Sequence, residues 1–169
     1  MTPAELLIDA FDRIRSSVES VLDGLTDDQL VTRPGDEANT IAWLVWHLAR
    51  VQDDHVAEVA GHEQVWTADG FSARFGLPFD DEAIGYGQTA EEVGQVRAPA
   101  DLLGDYFSAV HARTVGYLGG LGADDLDRVV DERWDPPVTL GVRLVSVVSD
   151  DLQHAGQAAY LRGLLLAAE

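Results

Sequence analysis

Three side chains in this sequence, His47, Asp150 and His154, have the types and the spacing to hold a divalent metal. Asp150 and His154 stand four residues apart. On a helix that step puts both side chains on one face, from successive turns. One helix can supply two metal ligands in this way. A third ligand from a facing helix then completes a site with open positions for water or a substrate. His47 is the natural candidate: it lies within Trp43-Leu44-Val45-Trp46-His47-Leu48 and shares a face with Leu44, Leu48 and Val51. An imidazole that points into or beside a core needs a partner for each nitrogen. A metal on one nitrogen and a hydrogen bond on the other meet that demand. Spacing alone leaves two alternatives open. Asp150 and His154 also suit a buried hydrogen-bonded pair without metal, and Asp151, three residues before His154, shares the face as a rival ligand.

The remaining histidines carry weaker signals. His55 is two turns beyond His47 and follows Asp53-Asp54, which suits either a supporting role or a polar helix face. His62 follows Gly61 near a helix end, and His111 sits one step off an apolar stripe. Trp43 and Trp46 flank the His47 turn and read as pocket lining or, more simply, as bundle packing. Arg50, Arg143 and Arg162 are candidates for an anionic substrate group, but a solvated surface charge is the simpler expectation for each. There is no phosphate-binding glycine loop, nucleophile elbow or His-Glu-x-x-His pair.

Long helices must position these residues. Thr2-Pro3-Ala4-Glu5 reads as a capping box opening a first helix, along which Leu7, Phe11, Ile14, Val18, Val21 and Leu25 form one stripe. Thr26-Asp27-Asp28-Gln29 repeats the capping pattern on a short turn. Asn39 or Thr40 caps a second helix that ends near Gly61. The stretch from about His62 to Ala98 has weak periodicity and reads as a long crossover with one or two short helices, one capped by Thr89 and Glu92. A third helix runs from about Pro99 to Gly119-Gly120. Val129 to Pro137 is expected to be extended, because its prolines forbid helix. The fourth helix follows Thr139 and runs to about Leu166. The expected fold is all-α, a four-helix bundle forming a single domain over residues 1–169.

Composition narrows the function. The 169 residues are 46% hydrophobic, a globular composition, and the longest apolar runs are too short to cross a bilayer. A net charge of −19 disfavours nucleic acid and anionic membrane surfaces. The sequence has no cysteine, which excludes disulfides, thiolate metal sites and a thiol nucleophile of its own. That fits a cytoplasmic protein, and no secretory signal is recognisable. Any thiol chemistry must use a thiol brought by a substrate.

The turn Trp46-His47-Leu48-Ala49, the pair Asp150-x-x-x-His154 and the following Ala155-Gly156-Gln157 resemble the DinB/YfiT-like superfamily. They are most similar to its actinobacterial branch related to mycothiol-dependent maleylpyruvate isomerase. The likeness covers nearly the whole chain. It implies a four-helix bundle that binds a divalent metal, usually zinc or nickel, through one side chain of the second helix and two of the last. Carried over, the ligands are His47, Asp150 and His154, with Asp150 where that branch has glutamate. The resemblance also implies a low-molecular-weight-thiol S-transferase or isomerase, with mycothiol as co-substrate, a small electrophile as acceptor, and a homodimer. A hydrolase using metal-activated water, or a non-enzymatic metal-binding bundle, would use the same three ligands.

Overall fold

The computed structural model describes residues 1–167. Its architecture follows from four long amphipathic helices: α1 (Pro3–Leu22), α3 (Ile41–Ala60), α7 (Ala100–Leu118) and α8 (Leu140–Ala167). Each start is set by local chemistry. Thr2 and Glu5 form the capping box of α1, and the Thr40 hydroxyl accepts from the Trp43 amide to open α3. Gly61 closes α3 at φ +71°, a left-handed conformation that favours glycine. A short α2 (Asp27–Val31) carries the second capping box, on Thr26 and Gln29.

α3 and α1 each pack against both α7 and α8, so α1 and α3 lie across the bundle from one another. Arg162 near the end of α8 donates to the carbonyls of Val21 (3.2 Å) and Asp23 (2.6 Å) at the end of α1, so these two helices run in the same direction. α3 runs against α8: His47 meets residues 150 and 154, while His55, further along α3, meets Arg143, earlier on α8. Phe11, Ile14, Leu44, Leu48, Leu103, Phe107, Leu144 and Val147 fill the core between the four helices.

The crossover between α3 and α7 contains three short helices, one more than the sequence suggests: α4 (Val65–Ala68), α5 (Phe71–Phe75) and α6 (Ala90–Gln95). Only α6 has the expected Thr89/Glu92 box; α4 and α5 are single turns with no side-chain cap to announce them. The crossover lies over α3, so every residue from Ile41 to Asp53 is buried. This explains the apolar run Ile41–Trp46, which is too greasy for a helix with one wet face.

Two buried polar residues of α3 hold the crossover down. The Asp53 carboxylate accepts from the amides of Val65 (2.9 Å) and Trp66 (2.8 Å), capping α4 from a distance, and from the Tyr106 hydroxyl (2.9 Å). Arg50 corrects the expectation of a solvated charge. It is fully buried and donates to the carbonyls of Asp81 (2.7 Å) and Ala83 (3.2 Å) and to Gln64 Oε1 (2.7 Å), with Asp53 3.9 Å away. Arg143 and Arg162 are likewise engaged by protein groups.

The expected extended stretch before α8 is a small antiparallel hairpin of β1 (Val129–Asp131) and β2 (Val138–Thr139), with Val129 opposite Thr139. Among the described residues, no helix is long and apolar enough to cross a membrane.

Candidate metal centre

α3 and α8 bring His47, Asp150 and His154 together. One ligand-type atom from each lies within 4.8 Å of the other two. His47 is buried, while Asp150 and His154 are half-buried at the edge of the α3–α8 seam. The imidazoles meet edge to face with centroids 4.8 Å apart, and His154 Nε2 is 3.7 Å from Asp150 Oδ1. Asp151 is elsewhere. The turn of the helix directs it into the core, where it is fully buried and neither carboxylate oxygen has a hydrogen-bond partner.

Each imidazole has one nitrogen already engaged. His47 Nδ1 bonds the Ile84 carbonyl, which can only accept, so Nδ1 carries the proton and Nε2 keeps its lone pair. His154 Nδ1 lies 3.1 Å from Gln157 Oε1, another acceptor, with the same consequence for its ring. Asp150 Oδ2 is buried without a hydrogen-bond partner. Two imidazole lone pairs and an unsatisfied carboxylate oxygen make a donor set suited to a borderline-soft divalent cation such as zinc. The outer partners, Ile84 and Gln157, orient the rings as metal sites require.

The electrostatics are consistent with this arrangement. Burial lowers the pKa of His47, against the Ile84 carbonyl, which favours the proton, so the ring is held neutral. The pKa of His154 is raised, chiefly by Asp150. Trp43 stacks on His47 at 4.5 Å and 15°, and Tyr86 meets the same ring edge-on at 5.3 Å. The Trp43 indole N–H donates to Gln88 Oε1 (2.7 Å), another tie between α3 and the crossover.

Of the remaining sequence candidates, His55 lies 3.2 Å from Arg143 and 3.5 Å from Asp54, away from the cluster. His111 is buried between helices beside Asp12 (3.0 Å), and His62 stands just past the end of α3. Sequence reasoning missed Ile84 and Tyr86, because a carbonyl has no side-chain signature and the crossover has no period to read. Gln157 was legible in principle: it follows His154 by three residues, the spacing at which helical side chains meet.

The fold agrees with that of a known structure. A solved structure titled as a conserved protein of a locus from Enterococcus faecalis is 33% identical, with a TM-score of 0.92 and coverage of 99% of both chains. No curated protein matches. A family model described as mycothiol-S-transferase matches residues 6–166. The chain therefore belongs to the mycothiol-S-transferase family, within the DinB-like group of helical bundles.

Proposed function

We propose that this protein binds a divalent metal, zinc or nickel, through His47, Asp150 and His154, and transfers a low-molecular-weight thiol, mycothiol, to a small electrophile. The carrying observation is the pair of imidazoles whose Nδ1 atoms are both engaged, beside an Asp150 oxygen that lacks a partner. When bound, the metal supplies Lewis acidity that lowers the pKa of a thiol, so that a thiolate exists near neutral pH. The chain contains no cysteine, so the sulfur must come from the co-substrate.

The protein's own groups do the rest. Ile84 and Gln157 fix the two rings, and the indole of Trp43 holds His47 from the side. The phenol ring of Tyr86, largely exposed, stands over His47 at the solvent side, where an electrophile would approach. Thiol transfer breaks the S–H bond and forms a sulfur–carbon bond: the thiol proton goes to solvent, and the electrophilic carbon releases a bonding pair, either with a leaving group or, in an addition, to the neighbouring atom, which then takes a proton from solvent. We place the reaction in the cytoplasm, in keeping with the absence of cysteine.

The exposed face of α8 supports a homodimer. Val145, Leu152, Tyr160 and Leu164 are exposed there at steps of seven, eight and four residues, in a chain otherwise rich in surface charge.

The test is metal analysis of untagged protein together with a mycothiol conjugation assay on an electrophilic fluorophore. Stoichiometric metal that is lost in His47→Ala and His154→Ala, with mycothiol-dependent conjugation in the wild type, supports the proposal. Full metal loading in both variants removes the assigned ligands. Ester or amide cleavage without any thiol activity favours the hydrolase instead.

A further inference from the structure

The cluster has a free hydrogen-bond donor at its mouth. The Tyr86 ring meets His47 edge-on at 5.3 Å and leaves 62% of its surface exposed. Its neighbours in the chain set its place: the Ile84 carbonyl holds His47 Nδ1, and Gly85 lies against the same imidazole. Burial, then Asp150, Asp151 and Asp54, raise the pKa of the phenol, and Arg143 opposes them. Groups from both helices act on the hydroxyl, so it lies over the α3–α8 groove. A phenol of ordinary pKa, about 10, already keeps its proton at neutral pH. The hydroxyls of Tyr106 and Tyr117 have partners in the protein, Asp53 (2.9 Å) and the Val59 carbonyl (3.4 Å). That of Tyr86 has none among the described residues, so its O–H is available to a ligand.

Tyr86 also lines a cavity of about 570 Å³ on the crossover, with Phe79, Asp80, Glu82, Gln88 and Glu92. Three carboxylates and no cation stand there. The bundle beneath supplies no spare cation either. The eleven basic residues of the chain are all arginines. Arg50, under the crossover, is fully buried on Gln64 and two carbonyls, and Arg143 is held by Glu58 (2.7 Å) and Asp131 (3.3 Å). A carboxylated acceptor would meet like charge here with nothing to offset it. An uncharged acceptor with an oxygen to offer would meet the phenol.

We propose that Tyr86 donates a hydrogen bond to the carbonyl oxygen of the acceptor, and that this acceptor is an uncharged α,β-unsaturated carbonyl compound. The inference rests on the metal–thiol reading above and narrows its electrophile to one class. The thiolate sulfur forms a bond to the β-carbon. The π pair of the C=C bond shifts towards the carbonyl, whose oxygen takes up the negative charge. The phenol meets that charge as it develops, and solvent then delivers a proton to the α-carbon. The thiol gives its own proton to solvent, so the addition balances with no leaving group. Displacement of a halide puts no charge on an acceptor oxygen and leaves the phenol nothing to stabilise.

The test compares wild type and Tyr86→Phe, both zinc-loaded, with mycothiol and two uncharged acceptors. Cyclohexenone adds the thiol, whereas benzyl chloride loses its halide to it. Each rate is taken relative to the uncatalysed reaction. Tyr86→Phe should lower the ratio of kcat for the enone to kcat for the chloride about tenfold or more, with a smaller change in KM. An unchanged ratio would overturn the proposal. So would equal acceleration of acetylacrylate and its methyl ester at low salt, where the carboxylate should cost about tenfold in kcat/KM. A second readout needs no turnover. Tyr86 is replaced by a ring-fluorinated tyrosine, and its fluorine NMR signal is followed as cyclohexenone is added without thiol. The chain has no cysteine to consume the enone. A saturable shift supports the contact between phenol and carbonyl, and no shift overturns it. If neither acceptor is conjugated, the metal–thiol reading fails, and the fluorine shift alone decides whether Tyr86 receives a carbonyl.

Discussion

A β-carbon added to Gly85 would fall 2.5 Å from Nδ1 of His47. The crossover backbone is laid directly against the imidazole, and Gly85, at φ +103°, is what permits it. Gly85→Ala should lift the strand of backbone carrying Ile84 and break the carbonyl contact that fixes the ring. We expect the bundle to remain folded and metal affinity to fall about 10- to 100-fold, as for other losses of an outer partner. Calorimetric zinc titration alongside circular dichroism checks this; unchanged affinity would show that the Ile84 contact is dispensable.

Metal binding should weaken on acidification in two stages. Both imidazoles must be neutral to ligate. Asp150 raises the pKa of His154, so this ring takes up a proton first as the pH falls; burial lowers that of His47, which follows. A plot of log Kd for zinc against pH should therefore steepen to about one proton displaced per metal as His154 titrates on the alkaline side of the ordinary imidazole pKa, and towards two only as His47 titrates on its acid side. Competition with a chromophoric chelator measures it. A flat profile would remove both histidines as ligands.

Arg50→Met should destabilise the protein by about 3–5 kcal/mol, because it removes the cation beside buried Asp53 and leaves two crossover carbonyls and Gln64 Oε1 without their donor. Hydrogen exchange should rise first over residues 81–85, which Arg50 anchors. Arg50→Lys should rescue little, since one ammonium cannot span the same three acceptors. Uniform exchange across the chain would contradict the anchoring role.

Asp151→Asn should stabilise the metal-free protein by about 1–2 kcal/mol at neutral pH, because the neutral amide removes a carboxyl group that is buried without partners and must take up a proton on folding. The sign with pH follows from burial, then Asp150, which raise the native pKa well above that of the unfolded chain. The native state keeps a proton that the unfolded state has lost, so wild-type stability is complete in acid and declines as pH rises. The two proteins should match near pH 4 and separate above it. Urea denaturation at several pH values decides; a constant gap would mean that Asp151 has the same pKa in the folded and the unfolded chain.

Much of the candidate site was legible because helices impose a period. The step from Asp150 to His154 and the apolar neighbours of His47 specified the faces, and the capping residues Thr2, Thr26, Thr40 and Thr89 marked real helix starts. The crossover was not legible. α4 and α5 are held by Asp53 and by aromatic packing such as Trp66 against Phe75 and Tyr106, contacts made across the chain that leave no local pattern. Arg50 was misjudged for the same reason: its acceptors are carbonyls of a segment 31–33 residues away. Choosing between Asp150 and Asp151 required the rotation of α8 to be known, which spacing to His154 does not give.

The antiparallel seam of α3 and α8 has a further consequence for a chain without disulfides. His47 and Asp150 are about 100 residues apart in sequence, so a cation coordinated by both would act as a covalent-like staple across most of the polypeptide. Closing a loop of that size in the denatured ensemble costs on the order of 4–5 kcal/mol of chain entropy. An ion held there would then also serve as the molecule's cross-link, and chelating it would loosen the tertiary structure.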